Sequence, residues 1–350
     1  FLGYSILPGG FVGVDIFFVI SGYLITTIIF QDLALGKFSF IDFYERRIRR
    51  IIPSLYITFA VAICIGWVTL LPVAFIDFAH SLISSILFSS NMFFMWNNQE
   101  YAAQSSLLKP LLHTWSLAVE EQFYIFYPIL LLFLFKFFKK FIYPILSIFL
   151  LTSILLAYVL SDQFQHITFY ILPTRAWELL TGALLAHLEI THGKNKNNIL
   201  EKVMPIIGLG LIIYSFCYLN DDMAMPSLYS LFSVLGVAFI IRFGTQQELV
   251  SKLLSFKLSV GIGLISYSLY LFHFPIFAWF RLKTHVQLEY IDAFMAIIFT
   301  FILAILSYYL VERPFRNKNK FSRNQIFKIS GISTLVLLII ASCISIFEGV

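Results

Sequence analysis

Ten stretches of this chain stay apolar for about the 20 residues that an α-helix needs to cross a bilayer, and that pattern constrains the fold more than anything else in it. They lie at about 10–30, 51–71, 115–138, 141–160, 169–189, 203–219, 225–242, 260–280, 290–311 and 326–347, with a weaker run at 78–96. Lipid offers no water to unpaired backbone groups, so each span has to satisfy its own N–H and C=O groups as a helix. The expected fold is therefore all-α and polytopic, with about ten transmembrane helices. Composition agrees: 59% of residues are hydrophobic and 12% are charged, against about a quarter charged in soluble domains. The net charge of +5 implies no nucleic-acid partner, because Lys and Arg gather in short loops, where they set topology. Cys64, Cys217 and Cys343 are odd in number and widely spaced, which argues against a disulfide framework and against a metal site.

Basic clusters orient the spans. "ERRIRR" at 45–50, "KFFKK" at 136–140, "HGKNKNNILEK" at 192–202, Lys252 with Lys257, and "RPFRNKNKFSR" at 313–323 all read as cytoplasmic. If 46–50 and 136–140 are both inside, 51–71 and 115–138 must be the two crossings between them. The 78–96 run is then an external or re-entrant segment. All of the 24 Lys and Arg except Lys109, Arg175, Arg281 and Lys283 fall inside. Trp67, Trp96, Trp115, Trp177 and Trp279 fall on the outer side, as an aromatic belt would. In this scheme the C-terminus is outside, and the chain also begins outside. A start at Phe1 rather than Met reads as a fragment that lacks at least one N-terminal helix.

Ionisable groups within spans are costly and usually functional or paired. In "HTWSLAVEEQFY", His113, Ser116, Glu120 and Tyr124 recur at i, i+3, i+7 and i+11, one stripe of a helix, with Glu121 a quarter-turn aside. In "SYSLYLFHFP", Ser266, Tyr270 and His273 share a face, and Pro275 frees the carbonyl of Leu271. Arg175 and Glu178 sit at the outer end of 169–189, and Asp15 lies a turn and a half into the first span. The expectation is that Asp15, His113, Glu120, Glu121, Arg175, Glu178 and His273 line one polar chamber in the outer half of the membrane. The alternative is that the Arg–Glu pairs only join helices. At the inner face, "FSFIDFYERRIRRIIP" (38–53) precedes a span. It reads as a positive-inside anchor lying in the interface, or as a phosphate clamp made by Arg forks. P-loop, nucleophile-elbow, HExxH and CxxC patterns are absent.

Several blocks occur in order: "PGGFVGVDIFFVISGYLIT" (8–26), "FYERRIRRIIPSLY" (43–56), "LKPLLHTWSLAVEEQFYIFYP" (108–128), "RAWELLTG" (175–182), "ISYSLYLFHFP" (265–275) and "VERPFR" (311–316). Together they resemble the acyltransferase family 3 membrane proteins, over residues 1 to about 316. The resemblance implies O-acylation of a bacterial cell-surface polysaccharide such as O-antigen, lipopolysaccharide or peptidoglycan, or of its lipid-linked precursor. It implies acetyl-CoA as donor from the cytoplasm, residence in the cytoplasmic membrane, and no metal. It makes Arg46, Arg47, Arg49 and Arg50 candidates for the coenzyme A phosphates. Catalytic candidates are His113, Glu120, Glu121 and His273; Asp15, Ser116, Tyr124, Arg175, Glu178 and Tyr270 are candidates for substrate binding. The expected division is an incomplete acyltransferase domain at 1–325 and a final span at 326–350 leading to an extracytoplasmic SGNH-like domain outside this chain. One departure stands out. The family's catalytic Arg-x10-His pattern lies on a helix before the Gly-Gly-Phe block, and ungapped alignment puts its His at Phe1, so the chain as given is expected to be inactive unless residues upstream of Phe1 restore that helix. The rival readings are a transporter or flippase for a lipid-linked sugar, and a non-catalytic membrane subunit.

Overall fold

The computed structural model describes residues 8–97, 106–193, 198–220, 223, 225–284 and 288–347, and every regular element among them is helical. After a 3-10 turn at Pro8–Val12 come α1 (Gly13–Ala34), α2 (Phe40–Thr69), α3 (Pro72–Ile86), α4 (Ser90–Trp96) and α5 (Thr114–Phe137). Next are α6 (Ile142–Ser161), α7 (Gln165–Tyr170), α8 (Leu172–His192), α9 (Asn198–Tyr218) and α10 (Ser230–Phe243). The chain continues through α11 (Leu249–Leu254), α12 (Lys257–Thr284), α13 (Tyr290–Ser307), a π turn at Tyr308–Glu312, α14 (Arg313–Arg316) and α15 (Arg323–Ile346).

Eight helices among the described residues are long and apolar enough to span a bilayer, those built on α1, α2, α5, α6, α9, α12, α13 and α15. The protein is a multi-pass membrane protein. The other two expected spans correspond to α8 and α10. α8 has the length, 21 residues, and carries Arg175, Glu178 and Glu189. α10 has only 14 residues, about 21 Å at 1.5 Å per residue, short of a hydrocarbon core roughly 30 Å thick. Its apolar run looks longer in sequence because Met225–Tyr229 is a turn, not helix. The 78–96 run holds no full-length span. It breaks at Leu87–Ser89 into α3 and α4, with Phe88 at φ +51°. The segment 38–53 is also not a separate interfacial helix. Ser39 caps α2 by accepting from the Asp42 N–H at 3.4 Å, and the helix runs on through Pro53.

The helices group into two compact units. One takes Ser39–Ala118 and Gly261–Val350, with residues 1–3; the other takes Tyr4–Phe38 and Val119–Val260. The boundary cuts α5 after Ala118 and α12 after Val260. In the first unit, Leu55, Phe59 and Ala62 of α2 pack with Phe75, Phe78 and Leu82 of α3, Leu271 of α12 and Ala341 of α15. In the second, Val19 of α1 and Trp177 of α8 pack with Val234 and Val237 of α10. Large apolar side chains such as Phe126, Ile148, Leu155, Phe294 and Leu335 point outward, where lipid is the solvent. Burial alone therefore gives little drive for helix association, and close backbone approach has to supply it.

Glycine makes that approach possible between α1 and α8. A Cβ at Gly22 would lie 1.8 Å from the Leu179 carbonyl oxygen, and one at Gly182 would lie 1.9 Å from that of Val19. Each helix thus fits its glycine against the other's backbone. Gly210 on α9 has nothing within 4 Å of such a Cβ. Gly22→Ala should therefore cost at least the ~1–3 kcal/mol of an over-packed core, read as a lower unfolding temperature in detergent. Gly210→Ala should leave that temperature unchanged or raise it slightly. Equal effects at the two sites would refute the backbone contact.

Candidate active site

In the first unit the chain enters α5 through Leu111, Leu112 and His113, all buried. The His113 imidazole lies among three side chains of α12: Tyr270 at 5.2 Å between ring centroids, His273 at 5.5 Å, and Phe274 at 5.5 Å and nearly parallel. These three present one helical face because their spacing is i, i+3 and i+4. Pro275 supplies no N–H to the Leu271 carbonyl, and that carbonyl faces the His113 ring. Neither nitrogen of His113 completes a hydrogen bond among the described residues. The Tyr270 hydroxyl donates to the His113 carbonyl and lies 2.7 Å from Ser116 Oγ. Its own hydrogen is thereby used, so Ser116 is the donor in that second bond.

His273 Nδ1 lies 2.5 Å from the Tyr270 carbonyl. A carbonyl only accepts, so Nδ1 carries the proton and the lone pair of the neutral ring is on Nε2. An apolar groove of about 310 Å³ runs along His273, between Leu269, Tyr270 and Phe277 of α12 and Ile297, Thr300 and Phe301 of α13.

A second cavity in the same unit, about 410 Å³, is lined by Arg46, Arg49 and Arg50 of α2, Gly263–Tyr267 of α12, and Glu312, Arg316 and Lys318. Five basic side chains against one carboxylate make it an anion site by composition. Glu312 is fully buried, accepts from Ser268 Oγ at 2.9 Å and pairs with Arg316. It stands at the end of the π turn that precedes Pro314, a widening of the helix that often marks functional positions. Arg47 is not among the lining residues. Tyr267 of the cavity and His273 lie on the same helix six residues apart, about 9 Å of rise.

The second unit holds the other expected residues. Arg175 Nη1 donates to Asp15 at 3.0 Å and to Glu178 at 2.7 Å, while Nε donates to the Phe169 carbonyl at 3.2 Å. Ser233 supports Asp15 at 3.4 Å, and all four side chains are buried. Glu120 accepts from Ser21 on α1 and from Tyr124 one turn along α5. Glu121 is half-buried. The seven groups expected to line one chamber are therefore found as Asp15, Arg175 and Glu178 in direct contact, Glu120 with Tyr124 and Ser21, and His113 with His273 in the other unit. Phe1, where the family's histidine aligns, lies outside the described residues. Sequence reading missed Ser21, Ser233, Tyr267, Glu312, Arg316 and Lys318. The i, i+4 spacing of Glu312 and Arg316 in "VERPFR" was the available signal for that pair.

Apolar helices that bury carboxylates with a guanidinium in one unit, and an imidazole pair in the other beside a basic cavity, define a polytopic membrane protein with polar groups among its helices. Comparison narrows the class. The Acyltransferase domain family matches residues 1–313, so the chain belongs to that family, acyltransferase family 3. It is similar to the Staphylococcus aureus (strain COL) protein named "Putative O-acetyltransferase SACOL0978", at 34% identity over 89% of this chain and 54% of that protein. It is also similar to "O-acetyltransferase OatA" of Staphylococcus aureus (strain NCTC 8325 / PS 47), at 30% identity over 98% of this chain and 59% of that one. The chain thus spans somewhat over half the length of these relatives. No solved structure matches it.

Arg175→Met would leave two buried carboxylates without their cation. The cost should be about 3–5 kcal/mol, seen as loss of folded protein after detergent extraction. Recovery of stability in the triple substitution Asp15→Asn, Arg175→Met, Glu178→Gln would show that the penalty is uncompensated charge, and no recovery would refute it.

Proposed function

We propose that this chain is the membrane part of an O-acyltransferase that moves an acyl group, in the first instance acetyl, from cytoplasmic acyl-CoA to a hydroxyl of a cell-surface polysaccharide or its lipid-linked precursor. The observation that carries this reading is α12, which borders a basic cavity at Gly263–Tyr267 and presents Tyr270 and His273 beside His113 about two turns further on. Coenzyme A has its phosphates at one end of a flexible arm and its thioester at the other. A phosphate site and a proton-accepting imidazole set apart along one helix match that division. The family and the names of the similar staphylococcal proteins support the same reaction class. The proposed setting is the bacterial cytoplasmic membrane, with the cavity inward and the C-terminus outward.

The chemistry follows from the site. His273 Nε2 takes the proton as the sugar hydroxyl attacks the thioester carbonyl. The tetrahedral intermediate collapses, the C–S bond breaks, and the proton is returned to the departing thiolate, giving the ester and free coenzyme A. The Tyr270–Ser116 pair fixes the geometry by tying α12 to the first turn of α5. Asp15, Glu120, Glu121, Tyr124, Arg175 and Glu178 are proposed as a polar site within the second unit, whose carboxylates, hydroxyl and guanidinium suit the hydroxyls of a sugar.

Full-length protein in nanodiscs, given radiolabelled acetyl-CoA and a glycan acceptor, should transfer label with saturable dependence on acetyl-CoA. His273→Gln should lower kcat by roughly 10²–10⁴-fold while coenzyme A binding is unchanged. A transporter would instead move the glycan across the bilayer without acetyl-CoA, and that result would overturn the enzyme reading.

A further inference from the structure

The four arginines of "ERRIRR" look interchangeable in sequence, but the structure separates them. Arg49 is 3% exposed, and each of its three nitrogens already donates. Nε reaches Glu45 at 2.8 Å, Nη1 the carbonyl of Phe315 at 3.1 Å, and Nη2 the carbonyl of Phe321 at 2.8 Å. Both carbonyls need an outside donor. Phe315 lies in the last turn of α14, and Phe321 immediately precedes the Ser322 cap of α15, so neither has a helical N–H. Between them the chain turns back on itself. Lys320 N–H donates to the Asn317 carbonyl at 3.1 Å, Asn319 N–H to the Asn317 side chain at 2.9 Å, and the Phe315 and Phe321 rings stack at 4.5 Å. The far side of Glu45 is held by Arg323 at 2.7 Å, which also pairs with Asp42.

We propose that Arg49 is a positioning residue that holds the 315–321 turn against α2 and so brings Arg316 and Lys318 to the basic cavity. Arg46, Arg50, Arg316 and Lys318 then grip the anionic ligand, and the guanidinium of Arg49 does not. This rests on the donor reading above, with a polyphosphate such as coenzyme A as the ligand. The turn is a seven-residue loop whose two ends are pinned to one side chain, and only a planar fork reaches both ends while keeping its carboxylate. An ammonium at position 49 keeps the charge and three donors, but they radiate from a single nitrogen and cannot span the carboxylate and both carbonyls.

The test is a double-mutant cycle on the full-length protein in nanodiscs, with coenzyme A as the probe and hydrogen exchange of the 315–321 amides as the second readout. Arg50→Gln and Arg316→Gln should each weaken coenzyme A binding roughly tenfold, about 1.4 kcal/mol, with slow exchange of the turn retained. Arg49→Lys should weaken binding to a similar degree although charge is conserved, and it should speed exchange of the turn. It should raise KM for the donor with little change in kcat. Arg49→Lys combined with Arg316→Gln should bind no worse than the worse single variant, since Arg316 is already displaced. Combined with Arg50→Gln, the two losses should add. Phe321→Ala opens the same turn without touching the buried ion pair. It should reproduce the binding and exchange effects even if Arg49→Lys fails to fold. Full additivity of Arg49→Lys with Arg316→Gln, or unchanged exchange in both turn variants, would overturn the positioning role. Unaltered binding in Arg50→Gln and Arg316→Gln would instead overturn the donor site itself.

Discussion

A charge placed among hydrocarbon has to find a partner inside the protein, and much of this structure follows from that requirement. Arg175 is held by Asp15, Glu178 and a backbone carbonyl, Arg49 by Glu45 and two carbonyls, and Glu312 by Ser268 and Arg316. In each case the partner comes from a different helix or turn as well as from the residue's own. The ionic groups therefore act as fasteners between elements that lipid does little to press together. Further along the same two helices, away from the Asp15–Arg175 pair, α1 and α8 meet by backbone contact at Gly22 and Gly182.

This requirement also separates structural from reactive groups. A buried cation with every nitrogen engaged, such as Arg49, organises its surroundings. A buried imidazole that completes no hydrogen bond among the described residues and meets only the Leu271 carbonyl, such as His113, is a different object. It lies against His273, whose protonated nitrogen is fixed by the Tyr270 carbonyl. Two rings with contrasting constraints thus lie in one place, the orientation of His273 fixed by a backbone carbonyl and that of His113 by ring contacts.

The sequence made the class legible because its apolar runs are long and lipid permits only one way to fold them. α8 and α10 are the least regular of the expected spans: α8 buries Arg175 and Glu178 within the second unit, so it can be polar without exposing them to lipid, and Met225–Tyr229 before α10 is apolar without being helical. Helical spacing correctly put Tyr270 and His273 on one face, and Tyr124 beside Glu120, because both relations are local to one helix. The contact of Asp15 with Arg175 joins residues 160 positions apart, and spacing cannot supply it; depth in the membrane suggested only a shared level. The arginine cluster was the hardest to read. Its four members have the same chemistry, and Arg49 is set apart by its burial and by the two carbonyls of the 315–321 turn that it meets, a fact of tertiary structure alone.

One further consequence lies in α12. Because the cavity at Gly263–Tyr267 and the imidazole of His273 share this helix, their separation is set by the rise of a rod and does not adapt to what is bound. The helix works as a ruler. In the acyltransferase reading, a donor is measured from its charged end, and whatever lies one arm's length away is delivered to the base. On that reading, recognition of the carrier and choice of the cargo would be separate tasks, one set by the cavity and the other by the space around His273.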